Sequence, residues 1–136
     1  MAPPADIRFN EPVRWLLAFS RETTIPWLRQ LPLCYRHVSA FGYVGGDAGV
    51  WLFFDWRQNR LQVSAARDDL QIRTLMHEFC HDADLLGMPA SDRSSWGMAG
   101  GYCVPAVKHL IGLRSRALTP SGLYRDCLRA GAEIIR

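Results

Sequence analysis

Lysine is almost absent from this chain, since fifteen of its sixteen basic residues are arginines and the exception is Lys108. The arginines are spread along the sequence and the formal net charge is only +3, which argues against a dedicated nucleic-acid surface. No uninterrupted apolar run approaches the roughly 18 residues of a membrane span. The N-terminus lacks a basic segment followed by an apolar core, so we expect no signal peptide. These absences predict a cytoplasmic protein with no membrane or nucleic-acid partner.

Closely paired cysteines are missing as well. The four cysteines, Cys34, Cys80, Cys103 and Cys127, are widely spaced and include no C-x-x-C pair. This spacing favours reduced thiols in a cytosolic setting over a disulfide framework. The length of 136 residues is typical of a single domain, residues 1–136, and a hydrophobic content of 49% is enough for a buried core.

A metal-binding pattern occurs within residues 74–89, where His77, Glu78 and His81 form an H-E-x-x-H. On a helix, residues four apart lie on one face, so both imidazoles could ligate the same zinc ion. Glu78 would flank the metal without binding it, in the position of a general base. Asp84 would share the histidine face and could hydrogen-bond a ligand histidine.

This stretch resembles the active-site helix of the zincin metallopeptidases. The residues His-Glu-Phe-Cys-His-Asp-Ala-Asp are particularly similar to the helix of the Mlc titration factor family, which runs H-E-F-A-H-x-L-D. The resemblance implies a gluzincin-like metallopeptidase that binds Zn²⁺ and hydrolyses peptide bonds in a peptide or protein substrate, with a zinc-activated water and Glu78 as general base. It also implies an edge strand that aligns an extended peptide, for which residues 61–65 are the candidate.

A catalytic zinc requires a third protein ligand, and two candidates remain open. His109 lies at the edge of the apolar stripe of its predicted helix, as a residue lining a cleft would. Glu133 is the only downstream glutamate and would match the later glutamate of gluzincins, but its helical phase puts it opposite the apolar stripe. We place His109 first and Glu133 as the alternative, with Asp92 and Asp84 behind them.

The hydrophobic pattern predicts an α+β fold, a small zincin-like domain in which a short β-sheet packs on the H-E-x-x-H helix and further helices follow. The expected elements are helices at 10–22 and 27–31, strands at 33–44, 49–56 and 61–65, the metal helix from a cap at Asp68 to about residue 86, and helices from 105 to 117 and from 119 to the C-terminus. His37, alone in a strand, is interpreted as a packed or surface residue.

Two other functions stay open. His81-Asp82 resembles the H-D motif of the HD-domain phosphohydrolases, which hold metal ions with a His…His-Asp…Asp set on an all-helical fold. The matching residues here would be His37 or His77, then His81-Asp82, then Asp92 or Asp126. The apolar run at 49–56 argues against an all-helical domain. The remaining possibility is a non-catalytic zinc-binding module, and the sequence carries no prediction of oligomeric state.

Overall fold

The computed structural model describes residues 12–21, 35–45, 49–57, 59–91, 95 and 102–135. Within these ranges the chain forms six strands and three helices, in the order β1 (Arg14–Ser20), β2 (His37–Val44), β3 (Val50–Arg57), β4 (Arg60–Ala66), α1 (Asp69–Cys80), β5 (Ala83–Pro89), α2 (Cys103–Ile111), α3 (Pro120–Arg129) and β6 (Glu133–Ile135). The strands build one antiparallel sheet in the order β4-β3-β2-β1-β5-β6. The α+β class predicted from the sequence is confirmed.

The sheet carries a separate apolar cluster on each face. On one face, here called the α1 face, Ala18, Phe41 and Phe53 pack against α1. On the other face, here called the α2 face, Leu17 and Phe19 pack with α2 and α3. Successive strand residues point to opposite faces, which is why the neighbours Leu17 and Ala18 belong to different clusters. A side chain on α1 is therefore separated from one on α2 by the thickness of the sheet.

Strand β1 occupies the region for which the apolar spacing predicted a helix, so that prediction was wrong. Trp15, Leu17 and Phe19 pack on the α2 face, whereas Leu16 and Ala18 pack on the α1 face. Burial on both faces produces a nearly continuous apolar run, whose spacing also fits a helical stripe. Pairing with β2 on one side and β5 on the other satisfies the backbone of β1 as a strand.

Helix α1 begins where predicted and ends earlier than predicted. The Asp68 carboxylate accepts a hydrogen bond from the N–H of Gln71 at 2.8 Å, which satisfies one of the free donors of the first turn. The helix ends at Cys80, and Asp82 turns the chain towards β5 with a left-handed φ of 50°. The expected continuation to about residue 86 is wrong because this segment pairs with β1, and that pairing buries Leu86 completely.

The three predicted strands and the last two predicted helices are present with shifted ends. Strand β4 lies at the edge of the sheet, as expected. Helix α2 begins two residues before Pro105 and ends at Ile111, and the C-cap Gly112 closes the last turn with a left-handed φ of 65°. Thr119 caps α3 as predicted by accepting a hydrogen bond from the N–H of Gly122. The chain after α3 pairs with β5 as β6, so the helix predicted to reach the C-terminus was too long.

Some predictions fall outside the described residues: the start of the helix at 10–22, the short helix at 27–31, Cys34, and Asp92 as a metal ligand. Among the described cysteines, Cys80, Cys103 and Cys127 are free thiols. None of the helices in the described ranges is both long enough and apolar enough to cross a membrane.

Candidate functional site

The two histidines of the H-E-x-x-H lie together at the end of α1. His77 is in the last turn, and His81 follows as the C-cap, with its N–H donating to the carbonyl of His77. The centroids of their rings are 5.6 Å apart. Both histidines are exposed, and so is Glu78. Two imidazoles and one carboxylate are therefore presented to solvent from the same end of this helix.

Asp84 does not join this group. It lies on β5 opposite Phe19, and Phe19 belongs to the α2 face of the sheet. Its carboxylate accepts hydrogen bonds from the hydroxyl of Tyr35 and from the guanidinium of Arg21, the latter at 2.8 Å. The expected contact between Asp84 and a ligand histidine required α1 to continue through residue 84, and it is lost because the helix ends at Cys80.

Neither candidate third ligand joins the histidine pair. His109 is on α2, across the sheet from α1, and its Nδ1 lies 2.5 Å from the hydroxyl oxygen of Ser95. Glu133 is on β6, where its carboxylate pairs with Arg14 at 3.0 Å. Within the part of the chain that the structure describes, no group of three or more His, Cys, Asp or Glu residues is arranged to hold a metal ion. His77 and His81 therefore offer two of the three protein ligands that a catalytic zinc requires.

A different set of titratable side chains meets where β2 begins and β3 ends. His37 is the first residue of β2, and its Nε2 is hydrogen-bonded to one carboxylate oxygen of Asp55 on β3. The Nε of Arg57 donates to the other carboxylate oxygen. Only 6% of the Asp55 side chain is exposed. Burial acts to raise the pKa of Asp55, but the hydrogen bond and charge of His37, together with Arg57, outweigh it and lower the pKa.

Cys103 is the second group that affects the pKa of His37. Burial alone would lower the pKa of His37, but interactions with Asp55 and with Cys103 outweigh burial and raise the pKa to about 9. Because Asp55 occupies Nε2, Nδ1 is the ring nitrogen that is left for a further partner. The carboxylate of Asp55 thus orients the imidazole of His37, and Cys103 is the thiol that contributes to the raised pKa of this ring.

The place of Cys103 in the fold suits a reactive thiol. It is the first residue of α2, and the first N–H groups of a helix have no intrahelical acceptor while the helix dipole favours negative charge there. The N-cap residue Tyr102 gives no side-chain cap, since its hydroxyl donates to the carbonyl of Leu118 instead. The backbone N–H groups beside the thiol can therefore serve as donors to a negative charge that develops in a reaction.

A cavity of about 280 Å³ opens beside this group, between α2 and strands β2 to β4. Cys103 and Asp55 both form part of its wall. Cys103 is only 9% exposed, so its thiol is shielded from bulk water and is reached through the cavity. The rest of the wall is largely apolar and consists of Val38, Phe54, Trp56, Leu61, Ala106, Val107, Leu110 and the imidazole of His109.

Sequence reasoning missed this group of residues. His37, interpreted from the sequence as a packed or surface residue, is 23% exposed and bonded on its ring to a buried carboxylate. Asp55 and Cys103 lie in no motif, because the fold joins residues from two strands and a helix that are far apart in the chain. One local signal was available: Cys103 lies two residues before the predicted helix start at Pro105, and reactive thiols often occur at helix N-termini.

The HD-type alternative does not fit the described arrangement. That class uses an all-helical domain, whereas the described residues include a six-stranded sheet. His81 follows α1 on one face of the sheet, and Asp126 is on α3 on the other. The residues that would have to share metal ions are therefore kept apart.

Comparisons of the chain with protein-family profiles, with curated proteins and with solved structures found no match.

Proposed function

We propose that this protein is a thiol-dependent acyl hydrolase or acyltransferase, which cleaves an ester, thioester or amide bond. Cys103 is the nucleophile, His37 is the acid–base group, and Asp55 is the positioning residue that orients the histidine. The proposal is supported above all by the cavity, whose wall contains both Cys103 and the Asp55 that is bonded to the His37 ring. A nucleophile, a base and an orienting group in this order recur on unrelated folds and are recognised by their geometry.

In the first half of the reaction, the thiolate of Cys103 attacks the carbonyl carbon of the substrate and forms a carbon–sulfur bond. His37 enters this step protonated at neutral pH, because its pKa is about 9. The N–H groups at the start of α2 stabilise the negative charge that develops on the carbonyl oxygen. His37 then gives its proton to the leaving alcohol, thiol or amine as the old bond breaks, which leaves a thioester on Cys103 and a neutral imidazole.

In the second half, neutral His37 removes a proton from water, or from an acceptor alcohol or amine, as that group attacks the thioester carbonyl. The carbon–sulfur bond breaks and the acyl product leaves. Cys103 is again a thiolate and His37 again an imidazolium. Asp55 stays ionised throughout, in keeping with its lowered pKa, and it holds the ring while its charge stabilises the imidazolium.

The direct test is hydrolysis of activated acyl esters by Cys103→Ala and Cys103→Ser variants, both of which should fall to the background rate. Cys80→Ser is the matched control, since Cys80 is also a free thiol but packs on the α1 face, and it should keep the wild-type rate. Asp55→Asn should lower kcat by about 10²–10⁴-fold, as expected when a catalytic imidazole is no longer oriented. Retention of hydrolysis by Cys103→Ala would refute the proposal.

Alkylation with iodoacetamide separates a catalytic thiol from a merely packed one. Cys103 should be modified first, because burial raises the pKa of Cys80 and raises the pKa of Cys127 to about 12. Mass spectrometry of the digested protein identifies the labelled cysteine. The variant His37→Gln should slow the labelling of Cys103, whereas His77→Gln, on the far side of the sheet, should leave the labelling rate unchanged.

A zinc-dependent peptidase is the second candidate, and it is favoured by the closeness of the exposed rings of His77 and His81. The described residues supply these two nitrogens and the carboxylate of Glu78, but they do not complete a three-ligand catalytic site. We therefore assign no reaction step to a metal. A cytoplasmic location, expected from the sequence, stays a prediction, as does a peptide or protein substrate.

Chelation distinguishes the two candidates in one assay. For the thiol mechanism, 1,10-phenanthroline should leave hydrolysis unchanged and iodoacetamide should abolish it. For the zinc mechanism, the chelator should abolish hydrolysis, and Glu78→Gln should bind zinc but lose activity. Metal analysis of His77→Ala and His81→Ala, beside His109→Ala as control, reports whether the pair on α1 binds zinc at all.

A further inference from the structure

We propose that the cavity beside Cys103 binds the acyl part of the substrate, and that this part carries a compact, uncharged aliphatic group. This inference rests on the proposed thiol chemistry and adds the class of substrate to it. It follows from the direction in which the cavity extends from the thiol, from the chemistry of its wall, and from its volume.

The cavity follows one face of α2 away from the thiol. Cys103, Ala106 and Leu110 all line it, and their spacing of three and four residues places them on the same face of the helix. At a rise of 1.5 Å per residue, Leu110 lies about 10 Å along the helix axis from Cys103. A group attached to the carbonyl carbon under attack can therefore extend along this face.

The opposite wall comes from the sheet and is apolar as well. Trp56 on β3 is paired with Leu61 on β4, and both line the cavity. Leu61 is 47% exposed, so an apolar ligand at this wall would remove further leucine surface from water, which is favourable in proportion to the area covered. The open side of β4 thus gives the cavity an apolar rim.

The charge of the wall excludes an anionic acyl group. Among the described residues that line the cavity, the charged side chain is that of Asp55, which is negative and already bonded to His37 and Arg57. His109 adds an imidazole whose Nδ1 is engaged with Ser95. A buried carboxylate on the ligand would find no lysine or arginine among these lining residues, and an unpaired buried charge is costly.

The volume limits the size of the group. About 280 Å³ is slightly below the usual range of roughly 300–1,000 Å³ for pockets that enclose a drug-sized ligand. The cavity therefore suits a short alkyl chain or one branched aliphatic side chain. A fatty acyl chain and an aliphatic amino-acid side chain present the same chemistry to the protein, namely an aliphatic group on the acyl side of the bond that is cleaved.

The experiment measures kcat/KM with two series of p-nitrophenyl esters. One series runs from acetate through butyrate and hexanoate to octanoate, and the other compares N-acetylglycine with N-acetylleucine. We expect kcat/KM to rise by about fourfold for each methylene that enters the cavity, the factor that corresponds to burying one methylene group. A rise in the first series alone indicates a fatty acyl donor, and a rise in the second alone indicates an aminoacyl or peptidyl donor. A rise in either supports the proposal.

Substitutions in the cavity wall test whether the dependence of kcat/KM on chain length arises in this cavity. Ala106→Leu fills the space beside the thiol and should abolish the rise of kcat/KM with chain length. Leu61→Ser removes part of the apolar wall and should make the rise less steep. Val63→Ser is the matched control, because Val63 is an exposed residue two positions along β4 that is not among the residues lining the cavity, and it should behave as wild type.

The outcomes separate this inference from the proposed function. If Cys103→Ala abolishes hydrolysis but kcat/KM is the same for all esters, the thiol mechanism holds and the aliphatic specificity is wrong. If kcat/KM rises with chain length equally in wild type and in Ala106→Leu, the preference arises elsewhere and the assignment of this cavity is wrong. If Cys103→Ala hydrolyses the esters as wild type does, the proposed function itself fails.

Discussion

Replacing Asp55 by asparagine should remove much of the pH dependence that His37 gives to the stability of the fold. In the folded protein the pKa of His37 is about 9, compared with about 6.5 in an unfolded chain. The folded state therefore holds this proton more tightly than the unfolded state does. Asp55 is the first of the partners that raise the pKa, and asparagine keeps its shape without its charge.

The size and sign of the effect follow from these two pKa values. Their difference of about 2.5 pH units corresponds to roughly 3 kcal/mol, at about 1.36 kcal/mol per unit. The contribution is fully present below pH 6.5, where both states hold the proton. It declines as the pH rises from about 6.5 to about 9 and is absent above that range, where both states have lost the proton.

The assay is urea unfolding followed by tryptophan fluorescence at about pH 6 and about pH 9.5. The wild type should lose roughly 3 kcal/mol of unfolding free energy between these two conditions, and Asp55→Asn should lose less than half as much. His109→Gln, an exposed histidine with no carboxylate on its ring in the described structure, should follow the wild type. If the unfolding free energy decreased equally in Asp55→Asn and in wild type, Asp55 would not be the group that raises the pKa of His37.

Three further changes test the fold. Asp68→Ala removes the cap of α1 and should lower the unfolding free energy by about 1 kcal/mol in urea titration; an unchanged midpoint would contradict the cap. Leu123→Ala deletes a fully buried side chain of α3 and should cost about 2–5 kcal/mol by the same measurement, and a loss below 1 kcal/mol would mean that α3 packs loosely. Glu133→Gln breaks an exposed pair with Arg14 and should cost under about 1 kcal/mol, an effect that disappears in high salt; a larger, salt-independent loss would argue against a surface pair.

Local signals in the sequence predicted the elements whose ends are set by neighbouring residues. Asp68 caps α1 and Thr119 caps α3, because a cap depends on a side chain and an N–H group only three residues away. The alternating pattern of residues 61–65 also predicted a strand at the edge of the sheet, and β4 occupies that position.

Predictions failed where pairing partners distant in the sequence decided the conformation. Strand β1 and the segment after Cys80 both carry helix-like apolar spacing, yet each pairs with the other along seven residues as β1 and β5. Local propensity is a weak preference, and burial in a sheet overrides it. The early end of α1 removed Asp84 from the histidine face, and the placement of α2 across the sheet removed His109 as well.

The amino-acid sequence by itself determined the α+β composition, the caps and the adjacency of His77 and His81, because each of these depends on residues within about one helical turn or one strand of each other. Only the tertiary structure decided which side chains share a site. The antiparallel sheet brings His37 and Asp55 together on neighbouring strands, and the packing of α2 on that sheet adds Cys103 and a cavity. Sequence periodicity does not predict which residues share this site, because the site is formed by contacts between segments far apart in sequence.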